Sequence, residues 1–245
     1  MSTEIAAIAG ANLDALTREL DLIANNVANV STAGFKRRTN SFSKVLEAQQ
    51  KAGEPVNEEE NKVTTSIDFS QGSLQCTERN LDFALYGKGF FVVETEDGPV
   101  YTRNGMFSTN NKSQIVDGLG RLVAGKTGAI VIPAEHSISE LYVSSDGSVS
   151  VDGLSIGNFK LVEFKEEDEA KLVAVGNNCF VVSDDIKHKD ATNVVVKQGY
   201  QESSNVQMVE ELMDMIMVSR MYESNMKLMN SKSETSDSLL SVAMG

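Results

Sequence analysis

A chain of 245 residues can bury a sizeable core in one large domain or two modest ones, and with 41% hydrophobic and 23% charged residues it is too apolar to be wholly disordered. A net charge of −13 argues against a generic nucleic-acid binder and disfavours adhesion to anionic lipid, because both need basic surface. Trp is absent, and no apolar run approaches the roughly 20 residues that a direct membrane insertion needs.

The N-terminal segment reads as the clearest helix. Ala6, Ala9, Leu13, Leu16, Leu20, Ile23, Val27 and Val30 recur at spacings of three and four, an a/d stripe sustained over several heptads. The opening residues lack a basic n-region, and polar residues interrupt their apolar stretch in helical rhythm, so no cleaved secretory signal is expected. Ser31-Thr32-Ala33-Gly34 is the stop signal, with Gly34 free to take the positive φ that ends a helix or opens a turn. Asn25, Asn26 and Asn29 interrupt the seam. Their amides either fix register against a partner or merely cap and end the helix. The basic cluster Lys36-Arg37-Arg38 reads first as a solvated segment, second as a contact with the acidic face of a neighbouring copy, and third as a nucleic-acid site.

Residues 47–62, rich in Gln, Lys, Glu and Asn, read as an extended connector. Beyond it the period changes to two. Strands are expected at 90–94, 100–103, 130–132, 141–143, 149–151, 159–164, 172–175 and 194–196. Asp-Gly pairs at Asp97, Asp117, Asp146 and Asp152 mark turns between them, and Glu166-Glu167-Asp168-Glu169 reads as a solvated hairpin turn. With no βαβ rhythm, the middle is an antiparallel β-domain.

A second long helix follows the N-cap candidates Ser203-Ser204-Asn205. Met208, Leu212, Met215, Ser219, Tyr222, Met226 and Met229 carry a three-four rhythm that Val209 and Ile216 widen. A methionine stripe of this kind is packing far more often than a metal box. Each terminal helix is marginal alone in water. The economical arrangement pairs the two and leaves surplus apolar surface for neighbouring subunits, although two docked helices in a monomer satisfy the same pattern.

Gly120-Arg121-Leu122-Val123-Ala124-Gly125-Lys126-Thr127 matches the phosphate-loop pattern letter for letter. Such a loop needs a helix N-terminus after it. Here the strand-like Ala129-Ile130-Val131-Ile132-Pro133 follows, so the string reads as a chance match in a hairpin. His136, His188, Cys76 and Cys179 lack any close ligand pairing, and no G-x-S-x-G elbow is present. No catalytic, metal-binding or cofactor-binding residue is therefore assigned, and both histidines read as solvated loop residues.

Ile23-Ala24-Asn25-Asn26-Val27-Ala28-Asn29-Val30-Ser31-Thr32-Ala33-Gly34-Phe35-Lys36-Arg37 resembles the N-terminal signature of the flagellar rod and hook protein family. Gly199-Tyr200-Gln201-Glu202-Ser203-Ser204-Asn205 and Val209-Glu210-Glu211-Leu212-Met213 resemble its C-terminal signature, and Gly87-Lys88-Gly89-Phe90-Phe91-Val92-Val93 agrees in the middle. The resemblance implies an α+β fold: long N- and C-terminal helices pairing as a coiled coil, with an antiparallel β-rich middle. It implies a helical domain of residues 1–36 and 201–245, a connector at 37–80 and an outer domain at 81–200. It further implies a non-enzymatic shaft subunit in the basal-body rod, crossing the periplasmic space and partnered by itself, by other rod proteins and by the flagellar type III export apparatus.

The expected assembly interface is Leu13, Leu16, Leu20, Ile23, Asn25, Asn26, Val27, Asn29 and Val30 with Leu212, Met215, Ile216, Tyr222, Met226 and Met229. Phe42 and Leu46 resemble the element that engages the export gate, or else they pack at the start of the connector. The short connector and the ending through Ser238-Leu239-Leu240-Ser241 look more like the family's proximal-rod branch than its distal-rod branch. A soluble β-rich binding module with docked helices and a small hydrolase are readings from other classes. Concentration-dependent polymerisation separates the rod from both; ligand-dependent stabilisation would support the module and turnover the hydrolase.

Overall fold

The computed structural model describes residues 2–40, 65–183 and 186–244. Its α-helices are α1 (Ser2–Ala28), a single turn α2 (Glu166–Glu169) and α3 (Met208–Met244), with a 3-10 turn at Ile138–Glu140. The strands of the first half are β1 (Arg38–Asn40), β2 (Thr65–Ile67), β3 (Leu74–Cys76), β4 (Phe83–Tyr86), β5 (Phe90–Thr95), β6 (Gly98–Thr102), β7 (Ser108–Thr109) and β8 (Ile115–Val116). Then come β9 (Ala124–Gly125), β10 (Gly128–Ala129), β11 (Leu141–Val143), β12 (Ser148–Val151), β13 (Leu154–Asn158) and β14 (Leu161–Glu163). The last are β15 (Val173–Gly176), β16 (Cys179–Val181), β17 (Lys189–Asp190), β18 (Val195–Gln198) and β19 (Tyr200–Glu202).

The chain divides into two compact units. One holds α1, β1 and α3; the other holds Asn29–Arg37 together with Ile67–Val206. In the helical unit β1 pairs with β2, and Thr39 Oγ1 meets Ser66 Oγ at 2.7 Å.

The β-rich unit is organised by a six-stranded sheet in the order β15-β16-β6-β5-β14-β17. Strand β5 explains why it has two cores. Phe90, Phe91, Val92 and Val93 form a continuous apolar run, as expected of a strand covered on both faces. Phe91 and Val93 enter a large cluster with Phe83, Phe107, Ile115, Val149 and Phe159. Phe90 and Val92 enter a second with Tyr101, Phe164, Leu172 and Phe180. The aromatic rings meet edge-on, with Phe91 5.2 Å from Phe107 and Tyr101 4.9 Å from Phe164.

Turn chemistry sets the hairpins. Glu96 and Asp97 close β5 onto β6, which pairs Thr95 with Gly98. Asp152 and Gly153 join β12 to β13 with φ of 48° and 79°, the two positive values a type I′ turn requires. The phosphate-loop string becomes the β9–β10 hairpin, where Gly125 pairs with Gly128 and Lys126-Thr127 form the turn. Ile130-Val131-Ile132 is not a strand: Val131 makes one isolated bridge to Gln114, while Ile130 and Ile132 are buried in the larger core. The acidic run at 166–169 is the helical turn α2 rather than a hairpin turn.

Asp146, between β11 and β12, accepts hydrogen bonds from Ser144 Oγ, Ser148 Oγ and Ser148 N. These bonds to its charged form, chiefly that from Ser144, hold the carboxyl down at about 2. A depressed folded-state value gives stability that is complete above the ordinary carboxylate range and lost as pH falls through about 2. The side chain is exposed, so the contribution is small. NMR titration should show the Asp146 carboxyl midpoint returning toward its ordinary value when both serines are changed to alanine.

Among the described residues, no group of three or more His, Cys, Asp or Glu is placed to hold a metal, and no helix is long and apolar enough to cross a membrane. Cys76 and Cys179 are free thiols. His188 corrects the solvated reading: it is half-buried, with Nδ1 3.3 Å from Tyr101 Oη. Burial first, and the Lys160 charge second, move its pKa down.

Candidate assembly interface

Leu16 and Ile23 on α1 and Val218 on α3 are buried together, with Leu20, Val27, Met215 and Tyr222 packed against them. Burying each large apolar side chain there contributes about 1.5–3 kcal/mol. Leu13 is half-buried one turn earlier, and Met229 half-buried farther along α3. The buried face of α3 runs through Glu211, Met215, Val218 and Tyr222, alternating steps of four and three. It is therefore offset from the stripe read in the sequence. Met215, Tyr222 and Met229 lie on it, but Leu212, Ile216 and Met226 are exposed at 43%, 55% and 37%.

The three asparagines separate sharply. Asn26 is 1% exposed, and its Nδ2 donates to Glu211 Oε2 at 3.0 Å and to the Arg38 carbonyl at 2.8 Å. Its Oδ1 accepts from the Arg38 backbone N–H at 2.9 Å. One amide thus joins α1, β1 and α3. Asn25 is exposed on α1. Asn29 and Val30 follow the helix end, where Asn29 Oδ1 accepts from the Thr32 hydroxyl at 3.2 Å. Asn26→Ala removes three hydrogen bonds from a buried site and should cost the helical unit about 2–3 kcal/mol. Urea denaturation followed by helical circular dichroism measures it.

In the β-rich unit, the segment that follows α1 meets the segment that precedes α3. Gly34 has φ of +69°, and a Cβ there would lie 2.6 Å from Asn104 N, so glycine alone fits. Its N–H donates to the Glu202 carbonyl at 2.7 Å. Lys36 Nζ donates to Glu202 Oε1 at 2.7 Å and to the Ser70 carbonyl at 2.7 Å. The Gly72 N–H reaches the same Oε1 at 3.0 Å, and Arg103 Nη1 lies 3.6 Å from Oε2. Arg103 also stacks 5.2 Å from the Phe90 ring centroid.

Lys36, Glu202 and Arg103 are all within 3% of full burial. Burial lowers the Lys36 pKa and the nearby Glu202 carboxylate opposes the shift; the same two causes act on Arg103. The solvated reading of the basic cluster is thus corrected at Lys36, a buried ion-pair partner. Nothing in a single sequence links positions 36, 103 and 202. Phe42, Leu46 and the 47–62 connector lie outside the described residues.

Three family models match this chain: the flagella basal body rod protein model over residues 8–36, the flagellar hook protein FlgE/F/G D1 domain over 84–151, and the flagellar basal body rod FlgEFG protein C-terminal over 197–242. The flagellar basal-body rod protein FlgF of Caulobacter vibrioides is 32% identical over 225 residues, covering 91% of both chains. FlgG of Buchnera aphidicola subsp. Schizaphis graminum is 33% identical over 260 residues, covering 95% of both. FlgG of Bacillus subtilis is 31% identical, covering 91% of this chain and 93% of its own. With matches at both helical ends and through the β-rich middle, the chain belongs to the flagellar basal-body rod protein family.

Proposed function

We propose that this chain is a structural subunit of the flagellar rod whose terminal helices pair as a coiled coil and polymerise with copies of itself and with other rod subunits. The product is the shaft that carries torque to the hook. In this reading residues 1–36 and 201–245 form the inner helical domain, 37–80 the connector and 81–200 the outer domain. Subunits reach the periplasmic space through the flagellar type III export apparatus, with Phe42 and Leu46 as the gate-engaging element.

The observation that carries the proposal is the two-sided character of α3. Met215, Val218 and Tyr222 pack toward α1, while Leu212, Met213, Ile216 and Leu228 stay 43–65% exposed. A helix apolar on more than one face is built for more than one neighbour. The interface residues are then Leu13, Leu16, Leu20, Ile23, Asn26 and Val27 with Met215, Tyr222 and Met229 inside the subunit. Leu212, Ile216 and Met226 face adjoining subunits in this reading, and Asn25, Asn29 and Val30 belong to the same proposed assembly interface.

Within the family we assign the FlgF, proximal-rod position. The FlgG alignment runs over 260 positions, more than the 245 residues here, so that relative carries segments this chain lacks; the FlgF alignment needs only 225. In this reading a longer connector would favour a long straight polymer, and the 47–62 segment offers mainly charge and amides instead. Removing the gene product should stop assembly before distal rod or hook appears, as seen by cryo-electron microscopy of isolated basal bodies. Basal bodies that retain a distal rod would refute the position, and a distal rod built of this chain would favour the FlgG reading.

A further inference from the structure

Strand β18 pairs with β4 so that Val195 lies opposite Tyr86 and Lys197 opposite Ala84. The alternate residues Val194 and Val196 point into the core, so Val195 and Lys197 face out. Tyr86 is 59% exposed and Val195 40%. Lys197 Nζ sits 5.6 Å from the Tyr86 ring centroid and 5.5 Å from that of Tyr200. Among the described residues no carboxylate pairs with it.

This arrangement is preorganised for an anion. The two rings hold the ammonium in place, so little side-chain freedom remains to be lost on binding. Exposed tyrosine is also enriched among interface anchors. The chain itself supplies a matching anion. In α2, Asp168 is engaged by Lys171 at 2.9 Å, and Glu169 is half-buried under the influence of Lys88 and Arg103. Glu166 and Glu167 are exposed and make no direct ion pair among the described residues.

We propose that the Tyr86–Val195–Lys197–Tyr200 face receives the acidic turn Glu166–Glu167 of a second copy of this chain. Charge complementarity selects the partner: the chain carries 35 acidic against 22 basic residues, so its own surface is rich in what this cation recognises. In a rod the two patches of one copy are satisfied by two different neighbours, a heterologous contact that propagates along the assembly. The inference rests on the rod reading, because it needs copies to be neighbours.

Carbodiimide coupling of the full-length purified chain at high concentration is the test, using a mixture of ¹⁴N- and ¹⁵N-labelled protein. Mixed-isotope peptides joining Lys197 to Glu166 or Glu167 are the expected product. Lys197→Glu and the pair Glu166→Lys, Glu167→Lys should each lower intermolecular coupling about tenfold, and mixing the two variants should restore it. The contact is overturned if Lys197 couples only within its own copy, if no intermolecular product forms, or if Lys197→Glu chains enter basal bodies at the wild-type level. Absence of the chain from basal bodies, with the mixed-isotope peptide still formed, overturns the rod reading and leaves the contact standing.

Discussion

Glu202→Ala should destabilise the β-rich unit by about 3–5 kcal/mol, because it leaves two buried cations facing a cavity in place of a carboxylate. Lys36 Nζ loses a 2.7 Å bond, the Gly72 N–H loses its acceptor, and Arg103 loses the carboxylate 3.6 Å away. Urea denaturation followed by circular dichroism of the strands reads the change, with tyrosine fluorescence as a second probe. Glu202→Gln keeps the volume and an acceptor for Gly72 but removes the charge, so it should fall between wild type and alanine.

The pH dependence gives the variant a signature that a simple packing defect would lack. Burial already places the folded-state Lys36 pKa below its ordinary value, and Glu202 is the main influence raising it. Without Glu202 the pKa falls further. Between the folded and unfolded values the unfolded chain binds more protons, so stability rises with pH across that interval. Glu202→Ala should therefore regain part of its deficit as pH climbs toward 10.5, the ordinary lysine value, and adding Lys36→Met should abolish that recovery. A deficit that stays constant from neutral to alkaline pH would mean that Lys36 carries no strain.

How much of this was legible depended on the range of each interaction. The stripe of α1 was readable because its apolar residues keep one face, and Leu16 and Ile23 are its most buried apolar side chains among those described. The face of α3 packed on α1 was not legible, because Met, Leu and Ile occupy several faces and apolar spacing alone cannot choose among them. The chosen face includes Glu211, a charged residue at 0% exposure that hydrophobic counting discards. It is held by Asn26, 185 positions away. The strands of the central sheet were legible from Phe90 to Val93 and again at 172–175. Two-residue strands such as β7 and β17 carry too few residues to show a period. The Lys36–Glu202 pair spans 166 positions, and the local reading of a basic run as solvated follows from composition alone.

Ile23→Asp should abolish incorporation of the subunit into the rod while leaving the β-rich unit folded. Ile23 is 3% exposed beside Leu16 and Val218, so a carboxylate there must be desolvated without a partner, at a cost of several kcal/mol. Among the described residues, Leu16, Ile23 and Val218 with the Asn26 bridge form the buried centre of the helix pair, and that centre cannot absorb the charge. Helical circular dichroism should fall, while the strand signal and the cooperative unfolding of the β-rich unit stay within about 0.5 kcal/mol of wild type, since none of its core residues is touched. Ile216→Asp makes the informative contrast. Ile216 is 55% exposed in the isolated chain, so the substitution should leave helicity and melting unchanged within about 0.5 kcal/mol. If α3 offers that face to a neighbouring subunit, Ile216→Asp should nevertheless leave cells non-motile, with the chain exported but missing from purified basal bodies. A motile Ile216→Asp strain with normal rods would show that the exposed face of α3 is not an assembly surface. Normal rods from Ile23→Asp would remove the helix pair itself from the mechanism.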